Sequence, residues 1–431
     1  MMTPEFTTGR GPDTLFSHVA VGLIGSEILR IAGEIRALQQ KGAAVLNLTV
    51  GDFSPQQFPI PAALKTEIFK AFDRGETNYP PSNGLPELRA AIAAVFARDL
   101  GLQYPVESVL VAGGARPIIY GTYRTLVDAG DVVVYPVPSW NNNHYCHLLG
   151  AKAVRIQTTP STHFLPTAKA IEPHLKGARL LSLCSPQNPT GTCFTADALG
   201  EIASMVVAEN RRRGAHERPL YVMYDQVYWT LTFDGVKHHD PVSLVPAIAP
   251  YVVFVDGLSK AFSATGLRVG YGVGPPEIMK RMSDALGHVG AWAPRPEQAA
   301  TAAFLGDPAA VKAFKSGFIA GARTRLHALY DGLMALKAEG VRVDAIAPMG
   351  AIYLTVRFDV VGRTTPAGVR LATNEDVRKY VLDAAGLGVV PFQSFDYRED
   401  DGWFRCSIGA VGVEDIRAAL PRLGTALSAL R

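Results

Sequence analysis

The sequence predicts an α/β protein in which a large domain, built on a mostly parallel central sheet flanked by helices, is joined to a smaller α+β domain. From Val45 to about Val273, short β-branched runs alternate with amphipathic stretches, the pattern of helical crossovers over a parallel sheet. After Leu305 that alternation gives way to one long helical stretch followed by short strands and further helices. The length, 431 residues, is also about three times the ~150 residues of a common single domain.

Taken in order, Ser26 followed by Ile28, Leu29, Ile31, Ile35 and Leu38 reads as a capped helix with apolar three-four spacing that ends at Gly42. Strands are expected at Val45–Thr49, Ser108–Ala112, Asp131–Tyr135, Ala153–Ile156, Ala178–Leu183, Leu220–Tyr224, Val252–Val255 and Leu267–Val273, with helices at Leu85–Leu100, Ile118–Val127 and Thr195–Arg213 between them. Beyond them come a helix over Pro308–Leu336, strands near Val341–Val343 and Ile352–Val356, a helix near Asn374–Ala385, strands near Val389 and Trp403–Ile408, and a last helix. The large domain is therefore placed at 44–305, and the small one at 1–43 and 306–431.

Hydrophobic residues are 48% and charged residues 19% of the chain, enough apolar surface to bury a core. The net charge of +3 is too small for a dedicated binder of nucleic acid or anionic membrane. Arg211-Arg212-Arg213 closes a helical pattern and reads as a solvated helix end. Four cysteines without a CxxC pair suit a reducing compartment, and the chain is expected to be cytoplasmic. Neither a signal peptide over Met1–Asp13 nor a membrane span is expected.

Chemistry gathers around one lysine. Asp256-Gly-Leu-Ser259-Lys260 follows an apolar strand and runs on to Arg268-Val-Gly270; a lysine at a strand end facing a cleft loses hydration, which lowers its pKa and frees its amine as a nucleophile. Asn188, in Ser185-Pro-Gln-Asn-Pro-Thr-Gly191, lies beyond another strand end, where open α/β sheets bind ligands. Asp225, in Tyr224-Asp-Gln-Val-Tyr228, ends a third, and an acid there needs a cationic partner. Gly113-Gly114-Ala115-Arg116 is a strand-to-helix turn suited to a phosphate. Together these positions ask for a phosphorylated cofactor with an aldehyde for Lys260 and a ring nitrogen for Asp225.

The chain resembles the class I/II aminotransferases, fold-type I enzymes that use pyridoxal 5'-phosphate (PLP) and include the aspartate aminotransferases. The motifs are Asn78-Tyr79 through Gly84 to Arg89, Ala112-Gly-Gly-Ala, Pro138-Ser-Trp140, Pro186-Gln-Asn-Pro-Thr-Gly191, Tyr224-Asp-Gln-Val-Tyr228, Ser259-Lys260 through Arg268-Val-Gly270, and Phe404-Arg405-Cys-Ser. They stand in the family's order from about Ser26 to the end of the chain.

The resemblance implies that Lys260 forms the internal Schiff base and moves the proton between Cα and the cofactor's C4′, and that Asp225 keeps the pyridine nitrogen protonated. Asn188 and Tyr228 would hydrogen-bond the phenolic oxygen, and Trp140 would stack on the ring. Gly114, Ala115, Arg116, Ser259 and Arg268 would hold the phosphate, joined by Tyr79 from the second subunit of a homodimer. Arg405 would pair with the substrate α-carboxylate, with Gly51 closing over it and Asn188 and Trp140 beside it. One departure is Gly257, where many relatives carry a hydroxyl; the phosphate contact it would make is missing or moved, with Arg116 as its candidate replacement.

The implied reaction is ping-pong transfer of an amino group between an L-amino acid and a 2-oxo acid. Aspartate-preferring relatives carry a cation for the distal carboxylate. This chain has Ala115 at one such place, and His288, Trp292 and Arg295 near the other. A neutral, apolar or aromatic donor is therefore expected, with Trp292 and Ile24 as candidate pocket walls and Arg116 or Arg295 as the residues that would instead favour aspartate or glutamate. The alternatives are another PLP reaction on the same fold, such as a β-lyase or an amino-acid oxidase or hydroxylase, and a non-catalytic binding protein. His144-x-x-His147 and His238-His239-Asp240 lack a full ligand set, and no metal is assigned.

Overall fold

The computed structural model describes Gly9 and residues 11–431, so most of the Met1–Asp13 segment read above for targeting signals lies outside the described residues. Thirteen strands are described: β1 (Leu46–Asn47), β2 (Val109–Ala112), β3 (Val132–Val137), β4 (Lys152–Gln157), β5 (Ala178–Cys184), β6 (Tyr221–Asp225), β7 (Val252–Gly257), β8 (Gly270–Val273), β9 (Val343–Ala345), β10 (Tyr353–Phe358), β11 (Leu387–Gly388), β12 (Val390–Pro391) and β13 (Trp403–Ser407). Seven form the main sheet in the order β2-β8-β7-β6-β5-β3-β4. All its pairings are parallel except those of β8, which runs antiparallel to β2 and β7.

The apolar runs of the central strands follow from burial on both faces. Every residue of β7 is buried; Val252 and Phe254 pack with Leu181, Val222 and Tyr224 on one side, and Val253 and Val255 with Leu180 and Met223 on the other. The helices lying on these faces begin and end where local chemistry dictates. Thr195 caps Ala196–Arg213 by accepting from the Ala198 N–H at 3.2 Å. Thr373 and Asp376 form a reciprocal capping box on Asn374–Ala385, which Gly386 ends at φ 64°.

The smaller unit is an antiparallel sheet, β12-β13-β10-β9, covered by the helices Pro308–Ala338, Asn374–Ala385 and Val413–Ser428. Two local expectations change. The Val45–Thr49 run does not join the main sheet: Leu46 and Asn47 pair in parallel with Leu387 and Gly388, and Leu46, Leu48, Phe53 and Phe58 pack into the apolar cluster of the small unit. Arg213, read as part of a solvated helix end, is buried because its guanidinium satisfies the Leu175 and Arg218 carbonyls at 2.8 Å each.

Glycine backbones allow three strand ends to converge. Gly257 and Gly270 face each other across β7 and β8, and a Cβ on Gly257 would lie 2.9 Å from the Gly270 Cα. A Cβ on Gly270 would overlap the backbone of Gly114 and Ala115, so the turn after β2 rests directly on β8. Gly270→Ala is expected to destabilise the fold by about 2 kcal/mol or more, as overpacking against a backbone that has nowhere to move does. Denaturant unfolding measures this; an unchanged midpoint would show that the turn yields.

Candidate active site

Because β5, β6 and β7 are parallel neighbours, their C-terminal ends lie on one rim of the sheet. The turn holding Asn188, the carboxylate of Asp225 and the amine of Lys260 meet there at a cavity of about 570 Å³. β8 starts on the same rim, so Arg268, two residues before it, and Ala115 and Arg116, just after β2, line the same cavity. Trp140, Tyr228, Ser259, Gly51 and Arg405 complete the predicted residues in its wall. Gly114 stands behind it at φ 103°, with no room for a Cβ against the Arg268 guanidinium. Tyr79 does not line this cavity; its side chain is 81% exposed and sits edge-on to Trp292 at 5.3 Å.

Burial dominates the electrostatics. Loss of hydration brings the Lys260 amine down to about 8; the Asp52 charge opposes that shift, and Arg405, Arg116 and Arg268 add to it. Its Nζ donates to the Gly51 carbonyl at 2.5 Å. Burial likewise raises the Asp225 carboxyl to about 6, against stabilisation by the Val227 N–H and the Lys260 charge. The Val227 N–H donates to its Oδ1 at 3.1 Å. The cationic partner expected for Asp225 is not supplied by an ion pair among the described residues; the carboxylate faces the cavity instead.

Arg405 is brought in from β13 in the small unit and is 1% exposed. Its guanidinium donates to the Thr49 carbonyl and to Asn188 Oδ1, the latter at 3.2 Å. It lies over the rings of Tyr353 and Phe395, 4.6 and 4.9 Å from their centroids, while its buried Nε has no partner. The Tyr228 hydroxyl is 2.5 Å from that of Tyr353, and burial raises the pKa of the Tyr228 phenol, keeping it protonated. Arg268, in the left-handed region at φ 55°, donates to the carbonyls of Thr265 at 2.6 Å and Gly113 at 3.1 Å. It ties the turn after β2 to the loop after Lys260.

The absence of a hydroxyl at Gly257 has a steric cause: β8 passes too close for any side chain. The Arg116 guanidinium lies 4.6 Å from the Trp140 ring centroid, a cation over an aromatic face. Arg295 is held by Glu76 at 2.6 Å and does not line the cavity. The two candidate apolar walls also change. Ile24 precedes the Ser26 cap and is 75% exposed, and Trp292 packs against Tyr79. Within this chain Ile28 and Leu29, on the first turn of the helix Glu27–Gln40, and Val50 supply the apolar wall.

Sequence reasoning passed over Tyr353, Asp52 and Thr265, all lining the cavity. Asp52 Oδ1 accepts from the Thr265 hydroxyl at 2.6 Å. Asp52 adjoins the predicted Gly51, a usable signal; Tyr353 lies in an apolar strand with no motif around it. Among the histidines set aside as metal ligands, His147 Nε2 lies 2.9 Å from the Val19 carbonyl. His238 Nε2 lies 3.3 Å from Gln226 Oε1, and burial depresses its pKa to about 3.

The donor set fits PLP. A half-buried carboxylate facing the cavity without an ion-pair partner suits a protonated ring nitrogen, and a partly desolvated lysine suits an aldehyde. The cradle of Gly114, Ser259 and Arg268, where a Cβ at Gly114 is excluded, suits a phosphate. Comparison with known proteins agrees. Residues 43–423 match the family model described as aminotransferase class I and II. The aspartate aminotransferase of Rhizobium meliloti (strain 1021) is 30% identical over 425 residues, covering 98% of this chain and 97% of that protein. A probable aspartate/prephenate aminotransferase of Thermus aquaticus is 31% identical over 404 residues, 92% of this chain and 96% of its own length. Among solved structures, the R. meliloti aspartate aminotransferase superposes with a TM-score of 0.86 at 29% identity, covering 96% of this chain and 99% of that one. An aromatic aminotransferase from Pyrococcus horikoshii OT3 gives 0.79 at 25%, over 91% and 98%. With the PLP-fitting rim and the family match across most of its length, the chain belongs to the class I and II aminotransferases and is a PLP-dependent transferase of amino groups.

Proposed function

We propose that this aminotransferase moves the amino group of a neutral, apolar or aromatic L-amino acid to a 2-oxo acid. The observation that carries the reading is the meeting of Lys260, Asp225 and Arg405 at one cavity whose near wall is Ile28, Leu29, Val50 and Trp140. Bound there, PLP supplies an aldehyde to take the amino group and a ring to accept the electron pair left when Cα loses its proton.

The protein's own residues do the rest. Lys260, tethered at the rim and with a pKa of about 8 in the cofactor-free protein, would move the proton from Cα to the cofactor's C4′; a poised amine near the operating pH suits both transfers. Asp225 would hold the ring nitrogen protonated. Asn188 and Tyr228 would bind the phenolic oxygen, with Trp140 beside the ring. Gly114, Ala115, Arg116, Ser259 and Arg268 would hold the phosphate. Arg405, with Gly51 and Asn188, orients the substrate carboxylate.

The exposure of Tyr79, Phe69, Phe72 and Val289 supports a homodimer in which Tyr79 reaches the phosphate of the second subunit. Residues 44–305 form the cofactor domain in this reading, with 1–43 and 306–431 the small one. Four free cysteines fit a cytoplasmic setting, and no helix among the described residues is long and apolar enough to cross a membrane.

Lys260→Ala is expected to abolish both the visible band of PLP-loaded protein and turnover; retained turnover would remove the lysine from the chemistry. Arg405→Lys is expected to lower kcat/KM about 100-fold, because an ammonium does not replace a planar two-pronged contact. Single-turnover rates over a panel of amino donors test the donor class: the apolar and aromatic donors should outrun aspartate and glutamate, and the reverse order would overturn that assignment.

Asp225 carries a stability signature of its own. In cofactor-free protein its carboxyl titrates near 6 rather than 3.8, so the folded state holds a proton that the unfolded chain has released. Stability therefore falls as pH rises from about 4 through about 6, and the loss is complete above that. Asp225→Asn should make the cofactor-free protein more stable at pH 8, by up to ~3 kcal/mol, while transamination collapses. A variant less stable than the parent at that pH would contradict the burial argument.

A further inference from the structure

Asp256 lies on β7, four residues before Lys260, yet does not line the cavity. It is 1% exposed and no ion pair reaches it among the described residues. Three donors converge on it: the Gly257 N–H on Oδ1 at 2.7 Å, and on Oδ2 the Trp229 indole N–H at 2.8 Å and the Tyr271 hydroxyl at 3.2 Å. Burial of this carboxyl raises its pKa to about 7, with the Asp225 charge adding to the shift and the three donors opposing it. The nearby ammonium of Lys315 lies over the Trp229 ring, 5.0 Å from its centroid, and 3.8 Å from Asp99. An acid kept in such a place costs stability, so its contacts are the thing to explain.

They join the two segments that carry the chemistry. Tyr228 sits in a turn whose first residue is held to β7 by the Gln226 N–H donating to the Val255 carbonyl at 2.9 Å, and whose last is Trp229. Without Asp256 that turn has one anchor on β7; with it, both ends are fixed. The bond to the Gly257 N–H sets the backbone at the entry to Leu258–Ala261, the short helix that presents Lys260. We propose that Asp256 is a positioning residue for Lys260 and Tyr228, a buried clamp near the end of β7 that holds both against the cavity. This rests on the roles proposed above for those two residues.

All three neighbours donate, so an amide cannot replace the carboxylate: its NH2 meets either the Gly257 N–H or the indole N–H. Removing the indole donor by Trp229→Phe leaves the Tyr271 hydroxyl, which also accepts, and gives that NH2 a partner. Asp256→Asn should therefore be rescued by Trp229→Phe.

The test uses cofactor-free protein, acetylated with acetic anhydride over a pH series and read at Lys260 by mass spectrometry, alongside kinetics of the PLP-loaded enzyme. Asp52, Asp225, Arg405, Arg116 and Arg268, the charges facing Lys260, are unchanged in every variant. Asp256→Asn should let water reach the loosened amine and raise its labelling midpoint by about one pH unit. It should also lower kcat about tenfold, with the donor KM within about twofold. The W229F/D256N double variant should recover more than half of both effects. A folded D256N with an unmoved midpoint, or a double variant whose shifts are the sum of the singles, overturns the proposal. If D256N does not fold, Trp229→Phe and Tyr271→Phe each remove one donor and should move the midpoint the same way by less; no movement in either overturns it. Lys260→Ala, scored by loss of turnover, tests the underlying role separately.

Discussion

Withdrawal of water from a few ionisable groups at the ends of parallel strands is the constraint on which the rest of the structure depends. Hydration would return Lys260 to an ordinary surface ammonium and Asp225 to an ordinary carboxylate, and neither would then be matched to a cofactor. Both groups are partly shielded from water by the depth of the sheet behind them, buried on each face, and by the small unit, which brings Arg405 and Tyr353 across the opening. The cost of that desolvation is borne by the folded protein until the ligand arrives. A site of this kind is less stable empty than an apolar one of the same shape would be.

Much of this was legible in the chain. Strand ends followed by chemically distinctive residues place Asn188, Asp225 and Lys260 on one rim, because parallel strands joined by crossovers put all their C-termini on the same side. What escaped the sequence was contact between segments far apart in it. Tyr353 meets Tyr228 across 125 positions, and nothing local to Ile352-Tyr353-Leu354 marks it out from a core aromatic. Leu46 and Asn47 look like any short strand, and only the positions of Leu387 and Gly388 decide which sheet they join. Ile24 and Trp292 lie near the motifs in sequence but do not line the cavity, because burial is a property of the assembled surface and not of the neighbouring letters.

Arg405 illustrates how the two units cooperate. Arg405 is fixed by the Thr49 carbonyl, by Asn188 and by the faces of Tyr353 and Phe395. Its contacts thus come from the segment before Gly51, from the cofactor rim and from its own lobe. Held at both terminal nitrogens and between two aromatic faces, the guanidinium has a fixed orientation, so in the role proposed for it a carboxylate would be aligned before reaction begins.

The reversed direction of β8 has a further consequence for how this chain can vary. In a parallel connection a crossover would carry the arginine that precedes the next strand to the opposite end of the sheet from the lysine. Here the chain leaves β7, rounds the rim and re-enters as β8 within the Leu258–Val269 segment, so amine and guanidinium are separated by a fixed length of loop. That segment works as a molecular ruler. Insertions that a surface crossover such as Ala196–Arg213 would absorb at its solvent-facing end would here move the two cations apart, so the length of this segment matters to the site more than its composition.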